Sequence, residues 1–166
     1  MGLFGIGKNQ KLLKLQKLLV ENSPNKLVYT EKQLYSMASR TVQRELKIIQ
    51  DCVELVNHTV KPDVFFSRYD LLLEHLEYLS KFQPYIKFQH NSPASEFAKI
   101  KNQKQAEISR FLSRYFDDIS AKADTMKTEK GKKGKYKKFF DSLQPYYNLM
   151  NTTNINFINS KLNIIE

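Results

Sequence analysis

Residues 61–83, KPDVFFSRYDLLLEHLEYLSKFQ, constrain the fold more than any other stretch of this chain. Placed on a helix at about 100° per residue, they present two apolar sides instead of one. Phe65, Phe66, Tyr69, Leu72, Leu73, Leu76 and Leu79 form a broad stripe, and Val64, Leu71, Tyr78 and Phe82 lie roughly opposite. Only Asp70, Glu74, Glu77 and Lys81 make a coherent polar strip. A helix apolar nearly all round is an enclosed one. The expectation is therefore an all-α helical bundle with a central, nearly fully buried helix at about 62–83. Pro62 suits the first helical position and Asp63 the positive end of the helix dipole, while Gln83-Pro84 stops the helix.

The remainder reads as helices too. Five glycines and five prolines are few for 166 residues, and no β-branched alternating run occurs. A chain of this length can bury roughly 68–70% of its unfolded surface in a real core. Lys8–Val20 is amphipathic: Leu12, Leu13, Leu15, Leu19 and Val20 share one arc, opposite Lys11, Lys14 and Lys17. Ser23-Pro24-Asn25 is a break. Thr30 followed by Gln33 is a capping-box pattern opening a helix to about Asn57, with Glu45 and Cys52 at the centre of its apolar stripe. Another helix is expected from Ser95 to about Lys127, projecting or split across the polar residues 99–107. Tyr136–Met150 carries Phe139, Phe140, Leu143, Tyr146, Tyr147 and Met150, with Pro145 ending or kinking it. A short last helix has Ile155, Ile158, Leu162 and Ile165 on one side. Five or six helices result, divided into an N-terminal basic amphipathic arm, 1–29, and a helical bundle domain, 30–166.

The charge is uneven. Residues 1–50 carry +6 (nine Lys/Arg, three Asp/Glu), residues 51–100 carry −2 (five and seven), and residues 101–166 carry +6 (thirteen and seven). Within the last block, Lys127–Lys138, KTEKGKKGKYKK, holds seven lysines, one glutamate and two glycines, and reads as a solvated interhelical loop. Basic ends of this kind suit anionic partners. The candidate anion or nucleic-acid contacts are Lys127, Lys130, Lys132, Lys133, Lys135, Lys137 and Lys138, which would meet phosphates without reading bases. Tyr136 is the one aromatic in that run placed to stack. A second candidate surface, for a membrane or a partner, is the apolar face of the first helix, Leu12, Leu15 and Leu19, behind an apolar tip.

Catalytic constellations are not apparent. Cys52 and His58 lie about 240° apart on one helix, so the thiol has no base from its own element. His58, His75 and His90 show no metal-ligand spacing among themselves. His75-Leu76-Glu77 has the H-x-E form of a zinc deaminase, without the P-C-x-x-C that completes it. Gly131-Lys132-Lys133-Gly134-Lys135 lacks the spacing of a phosphate loop, and Tyr136 stands in place of its Ser/Thr. No enzyme activity, cofactor, metal or small-molecule substrate is expected. The defined polar expectation is structural: Glu45, in the apolar stripe, needs a partner because an unpaired buried carboxylate costs several kcal/mol. Arg68 and Arg114 are the expected partners, able to hold it bidentately.

One cysteine, no apolar run long enough to span a bilayer, and no leader pattern at Gly2–Gly7, where the lysines follow the apolar residues, point to a cytoplasmic protein. Ile6 also departs from the myristoylation pattern. Three blocks, Asn57–Leu79, Arg114-Tyr115-Phe116, and Lys127–Lys132 ahead of Phe139-Phe140, resemble an uncharacterised helical family of Gram-positive bacteria, their phages and mobile elements. The resemblance covers roughly residues 40–160 and implies an intracellular bacterial or phage setting, with no activity or cofactor attached. The functional expectation is a non-enzymatic interaction module acting through a protein partner or self-association. Non-specific nucleic-acid binding through 127–138 is the alternative, and peripheral membrane attachment by the first helix a lesser one.

Overall fold

A computed structural model describes residues 3–88 and 91–162, with side chains from residue 7 onward. Readings made on Gly2, the Ile6 side chain, His90 and Ile165 fall outside these residues. Six α-helices follow one another among the described residues: α1 Leu3–Leu19, α2 Glu31–His58, α3 Pro62–Ser80, α4 Pro93–Asp124, α5 Glu129–Leu143 and α6 Thr152–Leu162. A 3₁₀ segment, Gln144–Leu149, joins the last two, and no strand is present among the described residues. The chain is an all-α helical bundle. It divides into two compact units, Met1–Asp51 with Leu72–Ala98, and Cys52–Leu71 with Lys99–Glu166.

In the first unit, Leu12, Leu15, Leu34, Ala38, Val42, Leu79 and Phe82 form the buried cluster. Complete burial of a Leu or Phe side chain contributes about 1.5–3 kcal/mol, so Leu12 and Leu15 are the apolar anchors of α1. Asn22, in the left-handed region at φ 56°, turns the chain out of α1, a conformation Asn tolerates better than most residues. The returning loop is tied down by Gln16, which is fully buried. Its Nε2 donates to Ser23 Oγ at 2.8 Å and to the Lys26 carbonyl at 2.9 Å, and its Oε1 accepts from the Val28 N–H at 2.9 Å. The capping box at α2 forms as expected: the Thr30 N–H donates to Gln33 Oε1 at 2.8 Å, and Gln33 N–H to Thr30 Oγ1 at 3.3 Å.

The second unit is held by aromatic packing. Phe65 stacks on Phe111 and Phe66 on Tyr146, each pair with centroids 4.3 Å apart. Tyr115 and Phe116 carry the contact to Phe139 at 5.0 and 5.4 Å. Such pairs contribute roughly 0.5–1.5 kcal/mol beyond area burial. Helix α4 is continuous, neither split nor interrupted at 99–107. Its polar stretch has a use: Gln105 takes the N–H of Asn151 at 3.0 Å and donates to the Leu149 carbonyl at 3.0 Å. The buried Asn154 donates to Gln105 Oε1 at 2.9 Å and accepts from Ser109 Oγ at 2.6 Å. Among the described residues, no buried side-chain polar atom of this cluster lacks a partner.

Packing bears on three expectations. Helix α3 is less enclosed than its composition suggested: Phe65, Phe66, Tyr69, Leu72, Leu76 and Leu79 are buried, but Ser67 and Arg68 join Asp70, Glu74 and Glu77 in exposure. The 1–29 segment packs into the first unit, with Leu12, Leu15 and Gln16 interior to it. Lys127–Lys138 is not a loop, since all but its first two residues belong to α5. Pro145 ends that α-helix, and the chain continues as the 3₁₀ segment.

Candidate interaction face

Helix α5 starts where Thr128, in an extended conformation, accepts the Gly131 N–H on its Oγ1 at 3.1 Å. Gly131 leaves room for that approach, since a Cβ there would lie 3.1 Å from the capping hydroxyl, a tight contact. Phe139 and Leu143, one turn apart and both buried, anchor the other end. Two glycines cost a helix roughly 1 kcal/mol each in propensity, and the cap with two buried anchors offsets this.

The helical register then sorts the lysines. Lys130, Lys133, Gly134, Lys137, Phe140 and Asp141 fall within an arc of about 120°, away from the Phe139–Leu143 side. Lys130, Lys133, Lys137 and Lys138 are exposed, as is Lys127 ahead of the helix. Lys132 and Lys135 are half-buried, and Lys132 pairs with Glu129 at 3.2 Å. Among the described residues, Lys130, Lys133 and Lys137 have no carboxylate within ion-pairing distance. Tyr136 is half-buried, its ring against Phe116 at 5.9 Å and its hydroxyl 3.3 Å from Ser120 Oγ, so it is committed to the interior and not to stacking.

Beside the lysines runs an open groove of about 420 Å³, lined by Lys133, Gly134, Lys137, Phe140, Asp141 and Leu162. A Cβ at Gly134 would meet nothing within 4 Å, so the missing side chain leaves a notch in the helix surface. Leu162 is 41% exposed. Sequence inspection missed this groove. The arc shared by Lys130, Lys133, Gly134, Lys137 and Phe140 was available as a signal, but only to a reading that made 127–138 helical.

The second candidate face closes inward. Leu12 and Leu15 are buried in the first-unit cluster, and Leu19, half-buried, is packed against it. The basic side of α1 is also engaged: Lys8 pairs with Glu31 at 2.7 Å, Lys17 donates to Asn25 Oδ1 at 2.6 Å, and Lys11 sits 5.6 Å from the Tyr85 ring centre. The Glu31 hydrogen bond, then its charge, raise the Lys8 pKa.

Glu45 is buried at 2% exposure, as its place in the stripe required, but its partners are neither Arg68 nor Arg114. Oε2 is met by His75 Nδ1, and Oε1 accepts from Arg44 Nη2 at 3.1 Å and Nε at 3.3 Å. Tyr78 lies in the same field: burial, then the Glu45 charge, raise its phenol pKa, and Arg44 opposes the shift. Arg68 is exposed. Arg114 donates Nη2 to the Val56 carbonyl at 2.9 Å, near the C-terminus of α2, where a cation is favoured. Its Nε is buried without a partner among the described residues.

Cys52 is buried. No three His, Cys, Asp or Glu side chains among the described residues converge as a metal site would require. No helix of the described residues is long and apolar enough to cross a membrane. The chain matches no protein-family model, no curated protein and no solved structure.

Proposed function

We propose that this chain is a non-enzymatic interaction module that associates with another protein through the exposed face of α5. The observation that carries the reading is the row Lys130, Lys133 and Lys137, unpaired among the described residues, at successive turns of a capped helix. Cations displayed in this way lower no folding free energy by pairing and are disposed toward an external anionic surface. The lysines of α1, by contrast, largely find partners inside their own unit. The family resemblance supports a cytoplasmic setting in a Gram-positive bacterium or its phage.

Nucleic-acid binding is the second reading, favoured by the same alignment of lysines on one helix face. With Tyr136 committed to the interior, it reduces to phosphate contacts that are sequence-blind and steeply salt-dependent.

A photo-crosslinking residue at Lys130, introduced in cells making the protein, tests the assignment. A discrete protein adduct that disappears with Lys133→Glu/Lys137→Glu supports association through this face. Adducts with nucleic acid alone move the assignment to the second reading, and an adduct pattern indifferent to the charge reversal overturns both.

A further inference from the structure

We infer that the groove beside α5 is a docking site for an acidic amphipathic segment of a partner protein. Such a segment would set apolar side chains on Phe140 and Leu162 and carboxylates against Lys130, Lys133 and Lys137. The inference rests on the protein-association reading and adds the chemistry of the partner.

Two properties of the groove select this occupant. Its rim is cationic, with Lys133 and Lys137 lining it and Lys130 on the same arc one turn earlier, none of them neutralised by a described carboxylate. Its floor is apolar, and Gly134 leaves a notch there with nothing within 4 Å of where a Cβ would be. An apolar floor gives nothing to a phosphate backbone, which gathers hydrogen-bond donors and positive charge along its whole track. A segment that alternates carboxylates with Leu or Phe at helical spacing satisfies both halves at once: apolar anchors enter the groove and charges meet the lysines. The lysines set approach and orientation, and the notch sets the depth to which an anchor sinks.

The test uses the full chain and three fluorescently labelled probes. The first is a helical peptide of Glu and Leu with leucines at i, i+3, i+4 and i+7. The second is a peptide of equal charge with the leucines replaced by Ser, and the third a short DNA duplex. Fluorescence anisotropy across salt reads binding. Two variants discriminate: Lys133→Glu/Lys137→Glu, and Gly134→Met, which fills the notch while improving helix propensity and so preserves the fold. The amphipathic peptide should bind at least about tenfold more tightly than its Ser counterpart, a difference of about 1.4 kcal/mol. Each variant should weaken that binding by about tenfold or more. Equal binding of the two peptides, or indifference to Gly134→Met, overturns the groove assignment. Preference for the duplex, lost with charge reversal, overturns it in favour of nucleic acid. The crosslinking result stands apart: a non-acidic protein adduct at Lys130 leaves association intact and removes only this inference.

Discussion

Replacing His75 by leucine and Glu45 by leucine should have unequal consequences, although the two side chains touch. The Glu45 side chain is 3% exposed, its Oε2 faces His75 and its Oε1 faces Arg44. His75→Leu strips one carboxylate oxygen of its donor while the charge stays buried. Breaking a buried pair in this way costs about 3–5 kcal/mol. Arg44 still holds the other oxygen, and the 22% exposure of the His75 side chain shows that water can approach the gap. The expected loss is therefore below that range, about 2–3 kcal/mol. Glu45→Leu removes the desolvated charge altogether. The histidine retains access to water and Arg44, 68% exposed, is already solvated, so the expected change is within about 1 kcal/mol of zero, of either sign. Glu45→Gln, which keeps an acceptor, should behave similarly. Urea unfolding followed by circular dichroism at fixed pH and salt, on both single variants and the double, measures the asymmetry; the double should resemble Glu45→Leu. Equal losses for the two single variants would refute the reasoning, because they would mean that mutual attraction, and not the cost of stranding a buried carboxylate, governs the site.

Three further outcomes follow from the same structure. Gln16→Leu should cost about 2–4 kcal/mol, since it strands the Val28 N–H and the Lys26 carbonyl as well as removing the Ser23 contact; a loss below about 0.5 kcal/mol would show that water replaces all three bonds. Thr128→Ala should cost about 1 kcal/mol and accelerate amide exchange at Gly131, with Thr128→Ser restoring protection. Tyr69 donates its hydroxyl to the Ile100 carbonyl at 2.5 Å, and burial, with smaller contributions from Glu107 and Asp70, pushes its pKa up to about 12. Because the folded state favours the neutral phenol, the associated stability is complete below about pH 10, the ordinary tyrosine value, and is lost as pH rises through about 12. Absorbance titration of the wild type against Tyr69→Phe should lose one late-titrating phenolate; its appearance near pH 10 would contradict the burial argument.

Much of the fold was legible because helices write their burial into the chain at a period of 3.6 residues. The stripe of α2 marked Glu45 as interior, and the Thr30–Gln33 pattern placed the start of that helix. Partner choice was not legible. Which side chain reaches a buried carboxylate depends on where the margins of two helices meet, and His75 occupies that margin instead of Arg68 or Arg114. Glycine misled the reading of 127–138, since a Gly-Lys run has the composition of a loop whether or not a Thr cap and a buried Phe139–Leu143 pair hold it helical. The polar stretch 99–107 misled in the same way, because its Gln105 serves backbone groups more than forty residues away.

The residues by themselves determined the all-α class, the helix starts at Thr30 and Pro62, and the interior position of Glu45, all consequences of local propensity and periodicity. The tertiary structure decided that the leucines of α1 face inward, that His75 and Arg44 are the side chains that meet Glu45, and that Lys133 and Lys137 of α5 line a groove. The physical reason is that periodicity specifies which face of a helix is buried, whereas only packing specifies what that face is buried against.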